Sequence, residues 1–165
     1  MSKKDCKLTV QRLHQVLDYN KETGVFVWKH RDTHKEKLGQ RAETKTTHGY
    51  LQIRIDNSVY YAHRLAFLYV NNTWPNVIDH INGEKTDNRI INIRSVSQKT
   101  NIENVRKVRK HNSNKLLGVY ASKDKFQSKI SVNGTCIYLG RFQTKEEAHE
   151  VFLQAKRKYH NGCTI

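Results

Sequence analysis

With 165 residues, only 36% of them hydrophobic, the chain is too polar for one large core and is expected to build several small ones. Thirty lysines and arginines face 15 acidic residues, a formal net charge of +15, and no apolar run reaches the roughly 18 residues needed to span a bilayer. The N-terminus "MSKKDCKLTV" has no apolar stretch of the secretory kind, and Cys6, Cys136 and Cys163 are too scattered for a zinc site and suit a reducing compartment.

The charge is spread evenly. Residues 1–59 carry 12 basic and 7 acidic side chains, residues 60–113 carry 9 and 4, and residues 114–165 carry 9 and 4, so each segment is +5. A neutral domain with a basic tail is excluded, and every segment is expected to be drawn to a polyanion such as a nucleic acid.

In chain order, "LTVQRLHQVL" (8–17) places Leu8, Leu13, Val16 and Leu17 near helical spacing. The turn cluster "DYNKETG" ends that helix, and "VFVW" reads as a strand. Residues 31–48 are polar and aperiodic and are expected to be a loop. "GYLQIRID" alternates, and "NS" turns it into "VYYAH", a hairpin. "RLAFLYVNN" is a short helix that stops before the only proline, Pro75.

"VIDHI" is a short strand, "NGEKTDN" a loop and "IINIR" a second strand. Ser97 caps an expected helix with apolar Ile102, Val105 and Val108 and with Arg106, Lys107, Arg109 and Lys110 in its last turns. Residues 111–116 read as a linker. Beyond it "LGVYAS", "KFQSKISV" and "TCIYLGRF" read as three strands, with "NG" at 133–134 a hairpin turn. "TKEE" (144–147) is a capping box, opening a helix expected to bury Ala148, Val151, Phe152, Ala155 and Tyr159.

The strand–loop–strand–helix unit concentrates chemistry. If it encloses a metal, Asp79 supplies an anionic oxygen and Asn101 a neutral amide oxygen, a hard donor set that suits Mg2+ or Mn2+ and leaves positions for water and a phosphate. His80 can take a proton from an attacking water, and Asn92 can orient it with its side-chain carbonyl. A lone Asp-His pair would read as an ordinary strand end. Acting together, these four side chains make a set suited to hydrolysing phosphodiesters. Neighbours on a regular strand face opposite ways, so the strand is expected to twist or end at Asp79-His80. Asn82 and Asn88 read as turn residues, His63 as a structural histidine, and Trp28 and Trp74 as core.

"DHINGEKTDNRIINIRSVSQKTN" resembles the HNH (ββα-metal) nuclease motif in its phage-type homing-endonuclease form, and "YNKETGVFVW", "GYLQIRID" and "YYAHRLAFLYV" are similar to that family's N-terminal region. The resemblance implies Asp79 and Asn101 as metal ligands, His80 as general base and Asn92 as the central motif asparagine; many relatives have His where Asn101 stands. "GVYASKDKFQSKISVNGTCIYLGRFQTKEEAHEVFLQAKRKYHNG" resembles the Apetala/ethylene-response-factor DNA-binding domain. That family lays its sheet in the major groove, which implies Tyr120, Ser122, Lys129 and Tyr138 as DNA contacts, although the family's DNA-facing arginines are mostly replaced here.

The expected fold class is α+β: an N-terminal β-rich supporting region (1–60), a ββα-metal HNH nuclease unit (61–110), a linker (111–116) and a three-stranded sheet packed on one helix (117–162). The expected function is metal-dependent cleavage of double-stranded DNA by a monomer in a bacterial cytoplasm, with no membrane and no small-molecule cofactor. Arg64, Arg106, Lys107, Arg109 and Lys110 are expected to contact DNA as well. The competing reading is a non-catalytic DNA-binding regulator with a decayed nuclease half, and the intact Asp-His-Asn-Asn set speaks against it.

Overall fold

The computed structural model describes residues 8–30, 37–108 and 114–165. The chain forms two compact units, Met1–Ser97 and Gln98–Ile165. Both mix helices with small antiparallel sheets of two or three strands. Among the described residues no helix is long and apolar enough to cross a membrane.

The first unit opens with α1 (Val10–Val16), capped by Thr9, whose hydroxyl accepts the Arg12 N–H. It runs directly into β1 (Leu17–Tyr19), which pairs with β2 (Phe26–Trp28). The intervening turn is built by Asn20, whose Oδ1 accepts the N–H groups of Glu22 and Thr23, and closed by Gly24 at φ +73°. The polar stretch expected to be a loop contributes strand β3 (Thr44–Lys45), paired with β4 (Leu51–Ile55). β4 pairs with β5 (Ser58–Tyr61) around Asp56 and Asn57, both at positive φ, so the hairpin turns one residue earlier than "NS" implies.

Helix α2 (Ala62–Asn71) follows and ends at Asn72 in the left-handed conformation. Its Leu65, Ala66 and Leu68 join Leu13, Leu17, Phe26, Ile53, Ile55 and Ile93 in one core. Trp28 is part of it and Trp74 packs against it, as expected. Strand β6 (Val77–His80) and strand β7 (Ile93–Val96) form the hairpin of interest, with a short 3-10 turn at Ile90–Asn92 before β7.

The second unit begins with α3 (Gln98–Glu103), six residues long. The expected helix reached Lys110; the structure ends it at Glu103, where the chain packs against Gly162 and Thr164, and leaves Ile102 60% and Val105 47% exposed. What holds α3 is the chain's C-terminal tail. Glu103 Oε2 accepts the Gly162 N–H at 3.0 Å, and the Thr164 hydroxyl donates to Asn104 Oδ1. Arg109 and Lys110 lie outside the described residues.

Strands β8 (Val119–Ser122), β9 (Lys125–Val132) and β10 (Thr135–Phe142) form a three-stranded meander covered on one face by α4 (Lys145–Tyr159). Both sides of the Thr144–Glu147 capping box are present. Ile130, Phe152 and Ala155 make the core, with Leu117, Val132, Ile137 and Leu139 around it. Gly118 is needed at the entry. Its φ is +72°, and a Cβ there would fall 1.9 Å from the Phe152 ring. Tyr159, expected in the core, is 40% exposed; buried Lys156 takes the inward place, its ammonium reaching the Val105 carbonyl.

Candidate active site

Asp79 and His80 are the last two residues of β6, so the strand does end at this pair. Both are buried, at 5% and 7% exposure. They do not share surroundings. Asp79 lies opposite Arg94 in the β6–β7 register, and Arg94 donates from both Nε and Nη2 to Asp79 Oδ2, at 2.9 and 2.7 Å. A carboxylate at this depth needs such a partner. The His80 ring sits among aromatic rings, 5.1 Å from His63 edge to face and 6.2 Å from Tyr50.

Burial holds the His80 imidazole below its ordinary pKa, outweighing the opposite pull of its bond to Asn88 and of the Asp79 and Asp87 charges. His63 is pushed down further, to about 3, by burial first and then by the neighbouring His80 and Arg64. His80 is therefore neutral at physiological pH, the state in which a histidine accepts a proton.

The loop between the strands corrects the expectation for Asn92. Its side-chain carbonyl was expected to orient His80. Instead Asn92 Oδ1 accepts the Asn82 N–H at 2.9 Å, and its Nδ2 donates to the Asp87 carbonyl at 2.8 Å. Asn92 closes the loop on itself. The residue that reaches the histidine is Asn88, expected to be a turn residue: its Oδ1 lies 3.1 Å from His80 Nε2, and Asn88 is 1% exposed. Asn88 stands in the polar loop "NGEKTDN" and Asn92 in the apolar run "IINIR", and neither setting tells which amide meets the histidine. Asp87 shapes the loop as expected. It pairs with Arg89 at 2.7 Å, and its carboxyl is lowered to about 2, chiefly by that bond.

Arg64, expected on DNA, donates to the carbonyls of Pro75 (2.9 Å) and Asn76 (3.3 Å) and lies over the Trp74 ring, where it ties α2 to the start of β6. Arg106, in the second unit, donates to the carbonyl and the hydroxyl of Thr164. Both guanidinium groups serve the fold. Lys107 is exposed, and Asn101 lies on α3 in the second unit.

On the sheet of the second unit, alternation puts Tyr120, Ser122, Lys129 and Tyr138 on the face away from α4. Tyr120 and Tyr138 are 52% and 55% exposed, Lys129 pairs with Tyr138 across the strands, and its ammonium lies 5.8 Å from the Tyr120 ring centre. Ser122 accepts a hydrogen bond from Gln127 on the same face.

Residues 60–103 match the family model of HNH endonucleases. The matched stretch runs from the last residues of β5 through α3 and contains Asp79, His80, Asn92 and Asn101. The match supports an HNH nuclease and suggests a nuclease acting on DNA. No curated protein and no solved structure matches the chain.

As to a metal, Asp79 offers the hard anionic oxygen that a magnesium-like ion prefers. Among the described residues no group of three or more His, Cys, Asp or Glu side chains is gathered closely enough to cage an ion. A hydrated divalent ion bound through one or two protein oxygens and a substrate phosphate fits this donor chemistry.

Proposed function

We propose that this protein is a metal-dependent HNH endonuclease of the homing type that hydrolyses phosphodiester bonds in double-stranded DNA. The observation that carries the proposal is the Asp79-His80 pair at the end of β6, inside the segment matched by the HNH model, with the histidine buried and neutral.

In this reading His80 takes the proton of the attacking water as the water's oxygen bonds to phosphorus and the 3′ oxygen leaves. Asp79 holds the divalent ion, Mg2+ or Mn2+, with Arg94 fixing the carboxylate from the facing strand. Asn101 enters as a metal ligand by its place in the motif. The ion supplies charge stabilisation for the departing oxygen. Asn92 acts indirectly, by closing the loop that follows the base.

The C-terminal sheet is proposed as the DNA reader, of Apetala/ethylene-response-factor type. Exposed Tyr120 and Tyr138 with Lys129 between them provide stacking surface and a phosphate partner on one face. The chain would act as a monomer, in the cytoplasm of a bacterial host. Incubation with supercoiled plasmid tests the activity: nicked or linear product with magnesium, and none with EDTA, is the expected outcome. Intact plasmid under every divalent ion tried would leave only DNA binding.

A further inference from the structure

Asn20, Asn82 and Asn92 fold their amides onto nearby backbone. Asn20 Oδ1 accepts the N–H groups of Glu22 and Thr23, both at 2.9 Å, and Asn82 Oδ1 accepts that of Glu84 at 2.8 Å. Asn92 uses both ends of its amide in this way. Asn88 does not. Its Oδ1 goes to His80 Nε2, and its Nδ2 is buried without a partner. An unmet buried donor costs about 1–3 kcal/mol, so a residue with only a packing role has no reason to be an amide here.

The backbone around Asn88 is clamped from far away in sequence. Tyr19 Oη donates to the Asn88 carbonyl at 2.6 Å, and Ile90 N–H donates to the Lys21 carbonyl at 3.2 Å. Gly24 presses against the same stretch: a Cβ there would lie 2.5 Å from Arg89 N and 2.6 Å from the Asn88 carbonyl carbon. Burial first, then the charges of Asp87 and Glu43, hold the Tyr19 phenol far above its ordinary pKa, so it remains a donor. The β1–β2 hairpin, which lies outside the matched HNH segment, thus grips the residue behind the histidine.

We propose that Asn88 is a positioning residue for His80: its Oδ1 accepts the Nε2–H, which fixes the imidazole in one tautomer, while Tyr19 and Gly24 hold Asn88 in place. The proposal deepens the nuclease reading and rests on His80 being its base. An amide acceptor selects the tautomer without adding charge beside Asp79.

Full-length protein labelled with 15N-histidine tests it by three readouts: the His80 tautomer from nitrogen shifts, kcat on saturating plasmid with magnesium, and DNA affinity in calcium. Wild-type His80 is expected as the Nε2–H form. Asn88→Leu is expected to mix the tautomers and lower kcat roughly 10- to 100-fold, within the range of general-base effects, at unchanged affinity. Asn88→Asp, which keeps an acceptor but adds a charge, is expected to restore the Nε2–H form. An Nδ1–H tautomer in the wild type, or a folded Asn88→Leu with kcat within about twofold of wild type against that 10- to 100-fold expectation, overturns the proposal. If Asn88→Leu does not fold, Tyr19→Phe decides: unchanged tautomer and kcat overturn it, and a mixed tautomer with lowered kcat supports it. His80→Ala separates the two levels. If that variant cuts like wild type, the base reading fails and takes Asn88 with it; if it is inactive while Asn88→Leu cuts normally, only the role of Asn88 fails.

Discussion

The rings of His63 and His80 meet edge to face with 5.1 Å between their centres, and both residues are buried. Two histidines this close in an apolar setting cannot both be protonated without cost. The folded-state pKa of His63, about 3, lies below its unfolded value of 6.5. Above pH 6.5 both states are neutral and the pair costs nothing. Below it the unfolded chain binds protons that the folded chain refuses, so stability falls as pH drops from 6.5 toward 3, by at most about 1.4 kcal/mol per pH unit for one histidine. His80, also lowered, acts in the same direction. Urea unfolding between pH 5 and 8 should show this slope, and His63→Leu should flatten it. An equal slope in wild type and variant would place the titrating group elsewhere.

Arg106 and Lys129 are expected to behave differently on DNA. Arg106 is engaged by Thr164, whereas Lys129 stands on the exposed face of the sheet. In a salt titration with calcium in place of magnesium, Lys129→Ala should flatten the slope of log K against log salt by about one unit. Arg106→Ala should leave that slope unchanged and instead destabilise the second unit by roughly 1.5–3 kcal/mol, the range for a hydrogen bond to a charged group. A flattened slope for Arg106→Ala with unchanged stability would reverse these roles.

Much of the fold was legible because its local signals were strong. The "NG" turn at Asn133-Gly134 and the "TKEE" cap at Thr144 fix a meander and a helix by backbone chemistry alone. Asp79 and His80 stood out because an acid and a histidine stand side by side inside a short apolar run. The end of α3 was not legible: its helical pattern continued past Glu103, and what stops it is tertiary, the packing of Gly162 and Thr164 on Glu103 and Asn104. The exchange of Asn88 for Asn92 had the same cause. Which amide meets the histidine depends on how the distant Tyr19 and Gly24 press on the loop, and spacing carries no trace of that.

Because α3 is held by the tail, a chain ending after Lys110 should keep the β6–β7 hairpin and its core but lose the helix. A free helix of six residues is far below the roughly 12–15 residues at which helices become marginally stable in water. Hydrogen exchange should show native protection at Ile53 and Leu65 in the truncated chain and none at Asn104, whose N–H is bonded to the Thr100 carbonyl in the full chain. Native protection at Asn104 would mean that α3 stands without the tail.

If His80 is the base of a nuclease, its loss should slow the chemistry and spare DNA binding. The most direct measurement is the single-turnover rate of DNA cleavage by His80→Ala against wild type in magnesium, with binding checked in calcium. A rate lowered by about 10²–10⁴-fold at nearly unchanged affinity is the expected result. Cleavage by folded His80→Ala at the wild-type rate would contradict it.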